Sequence, residues 1–289
     1  MAVRRAAIYI AHMTGIAALR EFIGHHRSLL VLTGAGCSTN SGIPDYRDVD
    51  GTWKRARPMT FQAFMASECA RRRYWARSLV GWRRIGAARP NGAHAALVRL
   101  EALGRCELLL TQNVDGLHQR AGHQRVVDLH GRLDEVRCMG CGATIPRDEV
   151  QAMLVHLNPA WAGLAGAGAP DGDADLDTDD FSSFVVPGCR GCGGVLKPDV
   201  VFFGESVPRS LVEEAFAALA RADAVLVVGS SLMVYSGFRF VQAAAAAGKP
   251  AAAVNLGRTR ADDLLALKVE ADCAVALSFL LERSPAGAE

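Results

Sequence analysis

The stretch LLVLTGAGCSTNSGIPDYR, Leu29 to Arg47, decides how this chain folds. Its apolar opening, Leu29-Leu30-Val31-Leu32, suits a buried parallel strand. Gly34 and Gly36 follow at once, and Cys37-Ser38-Thr39 then opens what the pattern predicts as a helix. A strand that runs through a glycine turn into a helix N-terminus presents free backbone N–H groups to an anion, as in folds that hold a pyrophosphate. An ordinary βα turn would use the same residues. The dehydrogenase version of the motif fits poorly, because Thr39 stands where its third glycine belongs. About 20 residues further on, where that motif carries an acid, the chain reads Lys54-Arg55-Ala56-Arg57.

The length, 289 residues, is enough for one large domain or for a domain with a smaller module. Half of the residues are hydrophobic and the formal net charge is only +2, as in a globular protein. Residues 1–100, however, carry 16 Lys and Arg against 5 Asp and Glu. That asymmetry either steers an acidic partner or reflects solvated helix faces. No apolar run approaches the ~20 residues of a membrane span, and Met1 to Arg20 lacks the continuous apolar core of a secretory signal. Two Cys-x-x-Cys pairs among eight cysteines favour thiols and metal over disulfides, and a reducing cytoplasm is the expected compartment.

Taken in order, Thr14 to His25 predicts an amphipathic helix capped by Thr14. Residues 48–89, aromatic and arginine-rich, predict a small helical module. Asn91 to Leu103 predicts another helix, ended by Gly104. The strand Leu108 to Thr111 then delivers Gln112-Asn113-Val114-Asp115, which is either a polar turn or a set of amides and an acid for a ribose or carboxamide. The short strand Val126 to Leu129 ends in His130-Gly131. Cys138, Cys141, Cys189 and Cys192 form two pairs that can close one tetrahedral, structural zinc site, although the 47 residues between the pairs exceed the gap of a compact ribbon. Gly163 to Asp180, Gly/Ala-rich and then acidic, predicts an exposed, mobile loop. Leu196 to Glu205 offers a strand edge and an apolar wall, or a plain core strand. Helix and strand then alternate: 208–221, 225–228, 235–247 and 251–254, with a short helix before 273–277. Strands ending in Gly229-Ser230-Ser231 and Asn255-Leu256-Gly257 suit an adenosine. The expected fold is α/β, a doubly wound parallel (Rossmann-like) sheet formed by 1–47, 90–135 and 196–289. A helical module spans 48–89 and a zinc module 136–195.

The pairing of GAG-x-S with SGIPDYR, together with TQNVDGLH, DLHG, KPDVVFFGE and GSS, resembles the sirtuins, the NAD-consuming protein deacylases, over about residues 14–280. RYWARSLVGW, LNPAW, PDGD and GRTRADDLLALK look most like the class II branch. The resemblance implies that Gly34, Ala35, Gly36, Thr39, Tyr46 and Arg47 hold the NAD phosphates and cover the cofactor, and that Gln112 contacts the nicotinamide ribose. It gives the nicotinamide end to Asp45, Asn113 and Asp115 with the Ile43 backbone, and the adenosine end to Gly229, Ser230, Ser231, Asn255, Leu256, Gly257 and Cys273. By the same resemblance His130 is the catalytic base, and Asn113 also assists catalysis through positioning. Val201, Phe202, Phe203 and Gly204 bind the acylated lysine of a protein substrate. The acyl oxygen attacks the ribose, and the products are nicotinamide, free lysine and 2′-O-acyl-ADP-ribose. Tyr74 and Arg77, three apart on an expected helix, share a face on which they could grip an acidic acyl group. Two departures from the family pattern are Tyr46 for Phe and Cys37 for an aliphatic residue, and the second raises the prospect of a redox-sensitive thiol. The rival readings are NAD-dependent mono-ADP-ribosyl transfer and a non-enzymatic zinc-ribbon binding module. The latter leaves TQNVDGLH unexplained, and no stacking motif points to nucleic acid.

Overall fold

A computed structural model describes residues 15–54, 58–168, 172–178 and 180–282. The expected Thr14 cap, the basic Arg55 and Arg57, and part of the PDGD segment lie outside them. The chain begins with a helix over 15–25 (α1) and the strand Leu29–Thr33 (β1). Two 3-10 turns, Ala35–Cys37 and Thr39–Ser41, replace the regular helix expected after the glycines. Helices Phe61–Ala66 (α2), Glu68–Ala87 (α3) and Gly92–Ala102 (α4) follow, and then Cys106–Thr111 (β2), Leu117–Ala121 (α5) and Val126–Asp128 (β3). Gly131–Cys138 (β4), Thr144–Pro146 (β5), Arg147–Leu157 (α6) and Pro159–Ala162 (α7) lead to the short pair Ala167–Gly168 (β6) and Ala174–Asp175 (β7). Leu196–Val200 (β8), Arg209–Arg221 (α8), Ala224–Val228 (β9), Tyr235–Ala246 (α9), Ala251–Val254 (β10), Leu267–Val269 (β11) and Cys273–Ala276 (α10) complete the described chain.

Six parallel strands form the main sheet in the order β11-β10-β9-β1-β2-β3. Alternate residues of β1 feed opposite cores: Leu29 and Val31 pack with Leu97 and Val269 on one face, Leu30 and Leu32 with Ala218 and Phe240 on the other. Burial on both faces is why these strands read as unbroken apolar runs. The strand order reverses between β9 and β1, and Thr33 is level with both Val228 and Thr111. Carboxyl ends of neighbouring strands therefore open together at the switch point, where α/β sheets bind ligands. Gly229 makes this possible. Its φ is +65°, and a Cβ there would lie 2.2 Å from the Cys37 backbone nitrogen, so only glycine fits between the two loops.

The small sheet, β5-β4-β8, is antiparallel. Strand pairing thus runs from 131 to 200, wider than the expected 136–195. Its core is shared with the helical piece: Trp75 and Leu79 of α3 pack in one cluster with Val136, Val150 and Leu196, and the Trp75 indole donates to the Leu196 carbonyl at 3.2 Å. The acidic stretch expected to be an exposed, mobile loop is partly packed down. Gly172 and Ala174 are buried, and Arg77 of α3 pairs with Asp173 at 2.7 Å and Asp175 at 2.6 Å. Both acids answer a cation, although Asp175 stays half exposed. β11 also escaped the sequence reading, since three residues centred on Lys268 give too short a pattern.

Gly81 is where α3 meets this hairpin, because a Cβ there would sit 2.3 Å from the Gly172 carbonyl oxygen. Gly81→Ala should cost about 1–3 kcal/mol through overpacking. Gly86→Ala on the same helix meets nothing closer than 3.8 Å and should be neutral or stabilising by up to ~1 kcal/mol. Urea denaturation of the two variants checks the contrast.

Candidate active site

A cavity of about 370 Å³ opens at the switch point between the main sheet and the small module. Nearly all the residues singled out in the sequence meet on its wall. Gly34, Ala35, Gly36, Thr39, Asp45, Tyr46 and Arg47 come from the loop after β1, Gln112 and Asn113 from the end of β2, and His130 from the residue before β4. Gly229, Ser230 and Ser231 follow β9, Asn255 and Leu256 follow β10, and Cys273 starts α10. Tyr74, Val201, Phe202, Phe203 and Gly204 form the apolar side.

Hydrogen bonds across strand ends fix these groups. The Asn113 amide donates to the Gly34 carbonyl and to Ser38 Oγ, both at 3.0 Å, and Ser230 Oγ donates to Gln112 Oε1 at 2.7 Å. Gly237 leaves room for that amide, since a Cβ there would crowd it at 2.6 Å. Lys54 pairs with Asp45. The Arg47 guanidinium donates to the Gly51 carbonyl at 2.7 Å and lies 4.0 Å above the Trp53 ring. An aromatic face and a carbonyl thus hold a cation on this side of the cavity.

His130 Nδ1 lies 3.0 Å from the Gln112 carbonyl oxygen. A carbonyl can only accept, so Nδ1 carries the proton and Nε2 keeps its lone pair. Ser236 Oγ donates to that lone pair at 2.8 Å. Burial lowers the affinity of His130 for a second proton, and Arg239 adds to the effect against the pull of the Gln112 carbonyl. The imidazole is therefore a neutral base with one usable nitrogen. Ser236 is the functional neighbour the sequence reading missed, for it has no motif of its own and meets His130 only through the fold.

Three expected residues stand elsewhere. Asp115 is buried behind the wall; it accepts from Ser38 Oγ at 2.7 Å and from the Leu117 N–H at 2.8 Å, so it braces the glycine loop. Gly257 is packed against Val49, 2.3 Å from its carbonyl oxygen to an added Cβ. Arg77 is a correction to the shared-face reading. It is absent from the cavity wall and turned toward Asp173 and Asp175, while Tyr74 packs edge-on against Phe64 and Trp75 beside Phe202. The redox-sensitive thiol is corrected as well. Cys37 is 1% exposed, and burial pushes its thiol well above the usual range, which disfavours the reactive thiolate.

The segment expected to add a substrate strand is already partly engaged. Phe61 N–H donates to the Phe203 carbonyl at 2.9 Å, the Gln62 amide to the Gly204 carbonyl at 3.0 Å, and Val201 N–H to the His130 carbonyl at 2.8 Å. β8 itself pairs with β4 and leaves its other edge outermost in the small sheet.

Away from this cavity the four paired cysteines converge. Cys138 Sγ lies 3.4 Å from Cys192 Sγ, and Cys141 Sγ 3.8 Å from Cys189 Sγ. Tetrahedral zinc with Zn–S bonds of about 2.3 Å sets sulfur–sulfur edges of about 3.8 Å, so the tetrad fits one zinc ion and leaves no open position.

The family model described as "Sir2 family" matches residues 34–236. The chain is 69% identical over 263 residues to NAD-dependent protein deacetylase 2 of Bradyrhizobium diazoefficiens, covering 91% of this chain and 96% of the relative. It is 70% identical to the NAD-dependent protein deacetylase of Xanthomonas campestris pv. campestris, covering 91% and 90%. Among solved structures it is similar to a complex described as Sir2–p53 peptide–NAD+, with TM-score 0.72, 29% identity and coverage of 91% and 96%. Similarity extends to Sir2Tm bound to a propionylated peptide, with TM-score 0.72, 29% identity and coverage of 92% and 97%.

Removing zinc should unfold the small module, because structural zinc supplies folding energy directly. Cys141→Ser is expected to lose the metal and, since Trp75 lies in the shared core, its native tryptophan emission. Native emission from zinc-free protein would detach the tetrad from the fold. For Arg77, a panel of lysine peptides that differ only in acyl group should lose rate equally in Arg77→Met, within about 3-fold as expected for a group engaged by other carboxylates. A selective loss on acidic acyls would return Arg77 to the substrate.

Proposed function

The chain belongs to the Sir2 family, and from that premise we propose that it is an NAD-dependent protein lysine deacylase with His130 as its base. One observation carries the assignment of roles. His130 holds Nδ1–H on the Gln112 carbonyl, so its basic nitrogen is fixed among the very loops that would bind the cofactor. When bound, NAD supplies the nicotinamide leaving group and the ribose hydroxyl that receives the acyl group.

The residues fit that cofactor. The amides of Gln112 and Asn113 are preset by Ser230 and Gly34, which suits them to a ribose and a carboxamide. Arg47 brings positive charge to the glycine loop where phosphates would lie, and Ser231, Asn255, Leu256 and the Cys273 backbone would receive the adenosine. Tyr74, Val201, Phe202 and Phe203 would enclose the acylated lysine and exclude water. Asn113 acts by positioning, since its amide N–H groups hold the loop it supports. Ser236 now holds the basic nitrogen of His130, so a ribose hydroxyl must take over that hydrogen bond before its proton can move. Ser236 thereby keeps the ring oriented in the free enzyme.

The large domain over 1–47, 90–135 and 196–289 would carry NAD, and the zinc module and the helical piece over 48–89 would close the acyl side as one body. Among the described residues no helix is long and apolar enough to cross a membrane. Cytoplasm is the compartment this reading favours, because zinc-bound thiolates persist where thiols stay reduced.

His130→Ala should leave NAD affinity within a few-fold while turnover falls by ~10²-fold or more. Burial lowers the His130 pKa from its ordinary value of ~6.5, which displaces protonation of the base to lower pH. Loss of activity on the acid side should therefore set in below that value, as a pH profile of kcat/KM would register. Mass spectrometry of the protein with NAD and an acetyl-lysine peptide should yield free lysine, nicotinamide and acyl-ADP-ribose in equal amounts. A peptide that gains ADP-ribose and keeps its acetyl group would replace this reading with ADP-ribosyl transfer.

A further inference from the structure

Beneath the glycine loop, outside the cavity and remote in sequence from the zinc tetrad, three metal-ligating side chains meet. Cys37 ends the first 3-10 turn, His94 lies in the first turn of α4, and His118 lies in α5 just after the Gln112–Asp115 segment. Their ligand atoms all lie within 4.8 Å of one another, and the residues are 1%, 0% and 1% exposed.

Their hydrogen bonds leave two ring nitrogens without partners, a lone pair on His118 and an N–H on His94. Thr33 Oγ1 gives its proton to Thr111 Oγ1 at 2.8 Å, so at 2.9 Å from His118 Nε2 it accepts the ring N–H. The lone pair of His118 is then on Nδ1, which is buried and bonded to nothing among the described residues. His94 Nδ1 accepts a long 3.3 Å bond from the Asn91 N–H, and its Nε2 is likewise buried without a partner. Buried polar atoms are nearly always satisfied; two orphaned ring nitrogens converging with a thiol therefore point to a missing ligand. Burial holds both rings neutral, which is the ligating form.

We propose that Cys37, His94 and His118 form a second metal site for a soft monovalent ion, Cu+, distinct from the four-cysteine zinc site. One thiolate and two neutral imidazoles give a ligand charge of −1, so Cu+ leaves a neutral group in an apolar surround, whereas Zn2+ would bury a net positive charge. Zinc also prefers a fourth ligand, while thiolate with imidazole suits cuprous copper. Bonds of about 2.0–2.3 Å place ligand atoms about 3.5–4 Å apart, a contraction of roughly 1 Å. The step balances as Cys37 S–H plus Cu+ giving Cys37 S–Cu plus one released proton. His94 shifts its remaining proton from Nε2 to Nδ1 and gives up the long Asn91 contact. Filling the site would tie the loop after β1 to the helix after Gln112–Asp115, the two segments that carry much of the NAD wall.

The test equilibrates the full-length, zinc-loaded protein overnight and anaerobically with Cu+ held by a competing chelator. Copper, zinc and released protons are then counted, and the copper shell is read by X-ray absorption. Expected are one copper per chain with the zinc retained, one proton released per copper, and a shell of one sulfur and two nitrogens. Cys37→Ala and the conservative Cys37→Ser, each checked for native circular dichroism and full zinc content, should weaken binding by ~100-fold or more, since even indirect supports of a metal are worth 10–100-fold. An all-sulfur shell with zinc displaced would overturn the site. So would copper binding unchanged in both variants, or no copper bound.

Discussion

Two backbone loops pass each other at Gly229 with no room for a side chain, and the rest of the site depends on that approach. Gly36 N–H donates to the Gly229 carbonyl at 2.8 Å and Gly34 N–H to Val228 at 3.1 Å. The turn after β1 and the turn after β9 are therefore one hydrogen-bonded unit. Ser230, held in place by that unit, orients Gln112, and the Gly34 carbonyl orients Asn113. Because β1 and β9 flank the point where strand order reverses, the unit lies in the crevice that topology provides. Groups preset in this way need no reorganisation when charge develops at the ribose.

Strand ends of the main sheet were legible because each apolar run was long, doubly buried and followed at once by Gly, Asn or Gln. His130 stood out because a strand delivers it and a glycine follows, and the structure sets it on the cavity wall. What could not be read were contacts between segments far apart in sequence. Arg77 reads as a surface or substrate arginine until Asp173, 96 residues on, arrives beside it. Acidic composition at 163–180 signals exposure when taken alone, yet two of those acids are counter-ions of a helix. Ser236 belongs to no motif, and its place on His130 arises from α9 packing behind β9. The resemblance gives Asp115 to the nicotinamide end, but its bracing of Ser38, 77 residues away, had no signal in the sequence.

Asp115 shows how the polar groups are layered. Burial raises its carboxyl pKa, against the hydrogen bonds from Leu117 N–H and Ser38 that favour the charged form. A buried acid satisfied on both oxygens is a rigid support. Asn113 donates to the same Ser38 hydroxyl, so the layer runs from the cavity wall through Asn113 and Ser38 to Asp115. Below it lie Cys37, His94 and His118, with rings 4.8 Å apart in the two histidines. Removing Asp115 would therefore loosen the wall from behind, without deleting any group that lines the cavity.

The acyl side follows a different rule. Tyr74 is enclosed by Phe64, Trp75 and Phe202, with ring centroids 5.3–5.5 Å away, and such a wall rewards an apolar acyl chain by excluding water. A distal carboxylate brought there would lose hydration, which the aromatic rings cannot replace. Arg77 could compensate only by leaving Asp173 and Asp175, one of which is only 20% exposed. That exchange would break both ion pairs of Arg77 and would loosen the hairpin that Gly81 seats against α3. Binding an acidic acyl group would have to offset both losses, whereas a short neutral acyl group incurs neither. The two ion pairs thus make any recruitment of Arg77 to an acidic acyl group costly.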